Sequence, residues 1–196
     1  MKKILCLLTL AMLMGFAGSA SAAGAYVGTG IGWSFPSFDL NQGTDIDEAG
    51  AFSWEILHGG YNFTDNLGVS LVFGGAGGTG TFVKEGDFTI DYLDLNIRFT
   101  YPMDKFSPYG ELGIGNYAFA SKIYGKDLVS NEPNLGYRAA IGTMIPIGHF
   151  YVAPEFAYNW VDMGGLDYDG KDAGFDLGST DFGLLLLKAG YSFSGK

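Results

Sequence analysis

Strict apolar–polar alternation from Leu93 to Tyr101 inside a hairpin over residues 88–119, eight strand candidates behind a secretory leader, and connections that alternate short and long predict an all-β fold. The predicted architecture is an eight-stranded, antiparallel, up-and-down transmembrane β-barrel. From Leu93 to Tyr101, residues Leu93, Leu95, Ile97, Phe99 and Tyr101 occupy one face and Asp94, Asn96, Arg98 and Thr100 the other, the period of a strand. A tight turn at Pro102–Ser107 leads back through Tyr109–Phe119, with Leu112 and Ile114 on one parity and Tyr109, Glu111 and Tyr117 on the other. The oily face is bulky and ends in aromatics, whereas the opposite face is small, glycine-rich and sparsely charged. A soluble sandwich would not waste its bulk this way; a barrel with lipid outside and a polar lumen would.

Residues 1–22 read as a signal peptide: Lys2 and Lys3 precede the apolar run Ile4–Ala17, and Ala20-Ser21-Ala22 is a small-residue cleavage box. Residues 23–196 are then the barrel domain. Cys6, the only cysteine, would leave with the leader, so no mature disulfide, thiolate metal site or cysteine nucleophile is expected. After residue 22 no apolar run is long enough for a membrane helix; the longest aliphatic run is Leu184–Leu187. Without Lys2 and Lys3, 9 basic residues face 21 acidic ones, a net charge near −12 that argues against nucleic acid as a partner.

Eight strands are predicted in order. The first, Ala25–Phe35, sets Val27, Ile31 and Trp33 against Gly28, Gly30 and Gly32; the second is Phe52–Phe63, ending at Thr64-Asp65-Asn66. The third, Leu67–Gly74, alternates Leu67, Val69, Leu71 and Phe73 with smaller residues and is expected to extend into the following glycines. The fourth and fifth form the hairpin described above. The sixth, Asn134–Ile147, turns at Gly148; the seventh, His149–Asp162, carries Val152, Phe156, Tyr158 and Trp160; the eighth, Thr180–Phe193, sets Leu185, Leu187, Ala189, Tyr191 and Phe193 against Lys188, Gly190 and Ser192. Connections after strands two, four and six are short. Those after one, three, five and seven (Pro36–Ala51, Gly75–Asp87, Ser121–Pro133, Met163–Ser179) are long and are predicted as extracellular loops, with short turns and both termini in the periplasm.

The eight-strand count, the segment Gly60-Tyr61-Asn62-Phe63-Thr64-Asp65-Asn66-Leu67-Gly68, the Lys105-Phe106-Ser107-Pro108-Tyr109-Gly110 entry to strand five and the aromatic last strand resemble the small outer-membrane β-barrel family that includes the OmpA transmembrane domain and OmpX. The resemblance covers the chain after the leader. It implies a bacterial outer-membrane location, contact with membrane lipid and lipopolysaccharide, delivery by periplasmic chaperones and the barrel-insertion machinery, and a monomer. Relatives usually end on an aromatic residue; here Ser194-Gly195-Lys196 follow Phe193. No peptidoglycan-binding domain follows the barrel, so a tethering role is not implied.

Candidate chemistry is sparse. Gly75-Ala76-Gly77-Gly78-Thr79-Gly80 matches a dinucleotide fingerprint, but no helix pattern follows to hold a pyrophosphate, and a glycine-rich flexible loop is expected instead. Asn62-Phe63-Thr64 is an accidental sequon in a turn. A lipid A-modifying enzyme would need a base and nucleophile at the outer leaflet. His149 sits at a periplasmic turn, and His58 lies five residues before the end of strand two, where Leu57, Tyr61 and Phe63 argue for an inward imidazole and Trp54 and Ile56 against it. No catalytic residues and no cofactor are assigned. Acidic residues crowd the first loop (Asp39, Asp45, Asp47, Glu48) and the fourth (Asp167, Asp169, Asp172, Asp176). The run Asp167-Tyr168-Asp169-Gly170-Lys171-Asp172 faintly resembles a calcium loop without its closing Glu; solvated surface charge is the plainer reading, with cation bridges to lipopolysaccharide phosphates as the other.

Alternation places Asp94, Arg98, Glu111, Arg138, Glu155 and Lys188 in the lumen, three acids and three bases. Turning any of these strands over would set charge against lipid, at about 2–4 kcal/mol for a midplane Arg or Lys. Glycines such as Gly28, Gly30 and Gly113 are expected to make room for the long side chains. The predicted function is a non-enzymatic structural or surface-interaction barrel acting through acidic extracellular loops. A narrow porin-like channel is the alternative and a lipid A-modifying enzyme the third reading.

Overall fold

The computed structural model describes residues 24–40, 44–46, 51–80, 86–123, 126–130 and 134–193. The leader, Asp47, Glu48 and the last three residues lie outside these, as do the side chains of Asp39, Asp45 and Asp176. The strands are β1 (Gly24–Leu40), β2 (Thr44–Ile46), β3 (Ala51–Asn62), β4 (Leu67–Gly80), β5 (Gly86–Thr100), β6 (Ser107–Ile123), β7 (Lys126–Ser130), β8 (Asn134–Ile147), β9 (Phe150–Tyr168) and β10 (Lys171–Ser192). Eight of them close a ring, β1-β3-β4-β5-β6-β8-β9-β10 and back to β1, with every neighbour antiparallel. The short β2 pairs with β1, and β7 takes the place of β8 between β6 and β9 above Asn134.

One end has tight turns. Thr64 Oγ1 accepts from the backbone of Asn66 and Leu67 at 3.3 and 3.0 Å, and Asn66 donates its side-chain amide to Thr100 O at 2.9 Å, tying the first turn to the second. Gly148 closes the third with φ 66°. At this end Phe63, Tyr101, Phe106, Phe150 and Phe193 are exposed on the outer wall; Trp33, Phe35, Phe52 and Trp160 form a second exposed aromatic belt. Phe150 and Trp160 on β9 mark the two belts, and at ~3.4 Å per residue with a tilt of about 40° the wall between them stands about 25 Å tall, the height of a bilayer's apolar band.

All four stretches predicted as long loops are in large part strand. β1 runs on through Leu40, β4 through the six-residue glycine motif to Gly80, β6 to Ile123, and β9 to Tyr168 with β10 leaving directly from Lys171. The flexible-loop reading of Gly75–Gly80 is therefore corrected: these glycines pair with Asp91 through Gly86 of β5. The reason is visible along β5, where period two persists while its apolar phase reverses. Leu93, Leu95, Ile97 and Phe99 face outward, but Tyr92, Ile90 and Phe88 face inward and are buried. The same reversal occurs at Trp160/Val161 on β9, and Leu184–Leu187 is where the two phases overlap on β10. Above the reversal the inward side chains, among them Phe119, Val161, Met163, Leu166 and Phe182, form one apolar cluster.

β3 carries a bulge. Glu55 pairs with Gly74 and Leu57 with Phe73, leaving Ile56 as the extra residue, while on the other side the register jumps between Gly28 and Gly30. Thr29 donates its hydroxyl to Glu55 O at 2.6 Å across the irregularity. The extra residue changes which parity faces in, so Ser53, Glu55, His58 and Gly60 all line the lumen while Ile56 is exposed to the outside.

Candidate functional site: the charged lumen

Below the apolar cluster the interior is ionic. Arg138, from β8, donates from Nη2 to Glu155 Oε1 on β9 at 2.7 Å and to Glu55 Oε1 on β3 at 3.1 Å, and its Nη1 stands 3.6 Å from Asp94 Oδ2 on β5. Lys188, from β10, places Nζ 2.8 Å from both Glu55 Oε2 and Glu155 Oε1. Tyr109 donates to the other oxygen of Glu155 at 2.8 Å, and Tyr117 donates to Asp94 at 2.6 Å with Asn159 Oδ1 also 3.0 Å away. Six strands thus converge on one layer spanning the tube.

A second group lies nearer the tight turns. Arg98 Nε donates to Glu111 Oε1 at 2.6 Å, and Ser70 donates to the same oxygen at 2.9 Å. The Arg98 guanidinium lies 4.5 Å from the centre of the Tyr26 ring and 4.1 Å from that of Tyr109, which caps its faces with π-density. His58 meets the Tyr151 hydroxyl at 2.6 Å, with its other nitrogen 3.6 Å from Glu55. All of these groups are buried.

The six lumen charges expected from alternation are all buried here: Asp94, Arg138, Glu155 and Lys188 share the crossing layer, while Arg98 and Glu111 pair with each other. Glu55 was missed, and with it the balance changes: four carboxylates face three strong bases, with His58 beside the extra one. The signal that could have found it is the break at Ile56-Leu57, two outward residues in a row, which also resolves the conflicting parity of His58. Glycines sit where long side chains cross. A Cβ at Gly113 or Gly115 would strike the Asn96 or Asp94 side-chain oxygen, and one at Gly28 would lie 2.7 Å from the His58 ring and the Tyr151 hydroxyl. His149 is far from this layer, stacked on Tyr191 at the tight-turn end with ring centres 5.5 Å apart.

Asp167, Asp169 and Asp172 occupy the tip of the β9–β10 hairpin. Asp169 and Gly170 both have positive φ, 54° and 77°, the geometry of a type I′ turn, and Asp167 pairs across it with Asp172. The resemblance to a calcium loop is thus explained by hairpin chemistry, and among the described residues no group of three or more His, Cys, Asp or Glu is placed to hold a metal ion.

Residues 4–193 match the family described as the outer membrane protein beta-barrel domain. No curated protein sequence matches the chain. Among solved structures it is similar to Neisserial surface protein A at 14% identity, over 87% of this chain and 99% of that one, with a TM-score of 0.65. It is also similar to OprG from Pseudomonas aeruginosa (16% identity, 89% and 98% covered, TM-score 0.55) and to Ail, the attachment invasion locus protein of Yersinia pestis (18%, 86% and 99%, TM-score 0.52). At these identities the likeness concerns the fold.

Proposed function

We propose that this chain, which belongs to the outer membrane protein β-barrel domain family, is a closed, non-enzymatic barrel whose role is structural and surface-directed. The carrying observation is the ionic layer in which Arg138 and Lys188 are each shared by Glu55 and Glu155 across the tube. An eight-stranded barrel has an interior that side chains can fill, and these charges fill it without leaving any of them alone in low dielectric. On this reading residues 1–22 direct export, the tight turns face the periplasm, and the long hairpins face outward. There Asp127, Asp162, Asp169 and Asp172 are exposed with Lys171 between the last two, an acidic surface for contact with lipopolysaccharide through cations or with a basic partner.

A non-enzymatic role is supported by the positions of the histidines. His58 is enclosed by Tyr151 and Glu55 inside the wall, and His149 is at the opposite end from the outer leaflet. Planar-bilayer recording tests closure: little conductance is expected. A large, steady conductance that charge reversal at Arg138 and Glu155 leaves unchanged overturns it in favour of a narrow porin-like channel. Mass spectrometry of lipid A from cells with and without the protein should show no difference; a changed acylation pattern would make the barrel an enzyme. For orientation, a cysteine at Asp169 should label on intact cells and one at Asp104 should not.

A further inference from the structure

The outer wall of this barrel is not evenly covered. Along one row, in register, Phe99 of β5, Gly110 of β6, Ile141 of β8 and Phe156 of β9 lie side by side. In the next row Leu112, Ala139 and Tyr158 do the same. Gly110 and Ala139 are therefore the low points of a diagonal trough between bulky neighbours. Two depressions sharing Phe99, Gly110, Ile141 and Phe156, of 820 and 410 Å³, run along it. An added Cβ at Gly110 would meet only Ala140 O, at 3.7 Å, so here the missing side chain opens space on the outside instead of relieving a clash within.

The lower end of the trough is polar and irregular. Thr143 lies there between Pro108 and Pro154, both lining the depression. Pro154 has no N–H to give, and the β8–β9 pairing passes from Gly142↔Glu155 to Ile145↔Val152 without a pair at Thr143. From Thr143 up to Ala139 is four residues of β8, about 13 Å along the strand and, at a tilt of about 40°, about 10 Å of depth, a third of the ~30 Å hydrocarbon core.

We propose that this trough binds one acyl chain of a periplasmic-leaflet phospholipid, seated over Gly110 between Phe99 and Ile141 and over Ala139 between Leu112 and Tyr158, with its ester end at Thr143. The inference rests on the membrane placement above and names a ligand for a face that placement leaves generic. Width selects the occupant. The flanking side chains stand on strands two spacings apart, ~10 Å, and after their own thickness the gap admits a single hydrocarbon chain; a helix of about 10–12 Å diameter is too wide. A second barrel, convex along this wall, cannot reach the floor. Because lipid tails are as apolar as the wall, no hydrophobic driving force separates bound from free lipid, and the selectivity comes from dispersion contacts along the trough and the polar contact at its mouth.

The test is native mass spectrometry of the folded barrel released from detergent micelles doped with phosphatidylethanolamine or, separately, lipopolysaccharide. Wild-type protein is expected to retain one phospholipid. Gly110→Phe, which fills the trough from the lipid side, is expected to retain several-fold less, and Leu135→Phe, higher on the same wall, as much as wild type. Equal retention by wild type and Gly110→Phe, no retention by either, or preference for lipopolysaccharide overturns the site. A wild-type dimer lost in Gly110→Phe overturns it in favour of a second copy. Boiled and unboiled gel mobility reads barrel folding in detergent independently, so failure of the membrane placement itself shows as loss of heat modifiability in every sample.

Discussion

The same inward positions of the same strands hold charge below the upper aromatic belt and hydrocarbon above it. On β9 the lumen receives Glu155 and Asn159 and then Val161, Met163 and Leu166; on β5 it receives Arg98, Asn96 and Asp94 and then Tyr92, Ile90 and Phe88. The outward positions make the opposite change, from Leu93 to Asp91 and from Trp160 to Asp162, both of whose acids are exposed. The difference teaches where the hydrophobic effect operates. Within the bilayer an apolar side chain gains little by turning inward, since lipid is as apolar as the lumen, so shape and charge pairing decide the filling. Above the belt the outside is water, and burial of Phe119, Phe182 and their neighbours organises the hairpins as it would in a soluble β-protein.

The comparison breaks most visibly at Arg138. Arg138→Ala leaves Glu55, Glu155 and Asp94 short of a partner and is expected to cost about 3–5 kcal/mol in urea unfolding followed by tryptophan fluorescence. If the two fillings close the tube in series, this variant alone conducts little, and only the double variant with Phe182→Ala opens a steady pore. A conducting Arg138→Ala single variant would show that the apolar layer is no barrier.

Wall substitutions sharpen the boundary between the halves. Leu95→Lys, in the lipid band, should lose about 2–4 kcal/mol, while Asp91→Lys, four residues on and past the reversal, should change stability by less than about 0.5 kcal/mol. Equal losses in the same urea experiment would place the membrane boundary elsewhere. Leu166→Ala, buried in the upper cluster near the rim, is expected to cost about 2–3 kcal/mol. Its effect should not depend on salt, unlike that of a charge at the surface. The smallest change is Gly170→Ala at the hairpin tip, about 1 kcal/mol because alanine resists a φ of 77°. No loss there would mean that the turn relaxes without the rest of the hairpin.

How much of this was legible in the sequence follows from the same boundary. Where one oily face persisted, as from Leu93 to Tyr101, strand and facing could be read, and so could the six lumen charges. Past the reversal at Trp160-Val161 the oily face can no longer be followed, and the strand continuing through Met163–Tyr168 reads as loop; in β4 the glycines of Gly75–Gly80 carry no alternation to follow. Glu55 was hidden by a different device: Ile56 changes the parity of β3 by one residue, and the adjacent apolar pair Ile56-Leu57 is its trace in the sequence, which pairing with both neighbours resolves. The apolar filling of the upper lumen was not foreseen, because a polar interior was assumed for the whole tube.

The closure of β1 on β10 has a consequence for how the molecule forms. Tyr26 pairs with Ser192 and Phe38 with Thr180, so the seam joins the two ends of the described chain in an unbroken register. No local hairpin can substitute for it. Until β10 arrives, the other strands present two raw edges whose N–H and C=O groups find no water in hydrocarbon, at several kcal/mol each. Contacts between residues so distant in the chain carry a large loop-closure cost and slow folding. A chain stopped before Lys171 would therefore leave the edges of β1 and β9 that β10 covers without a partner strand.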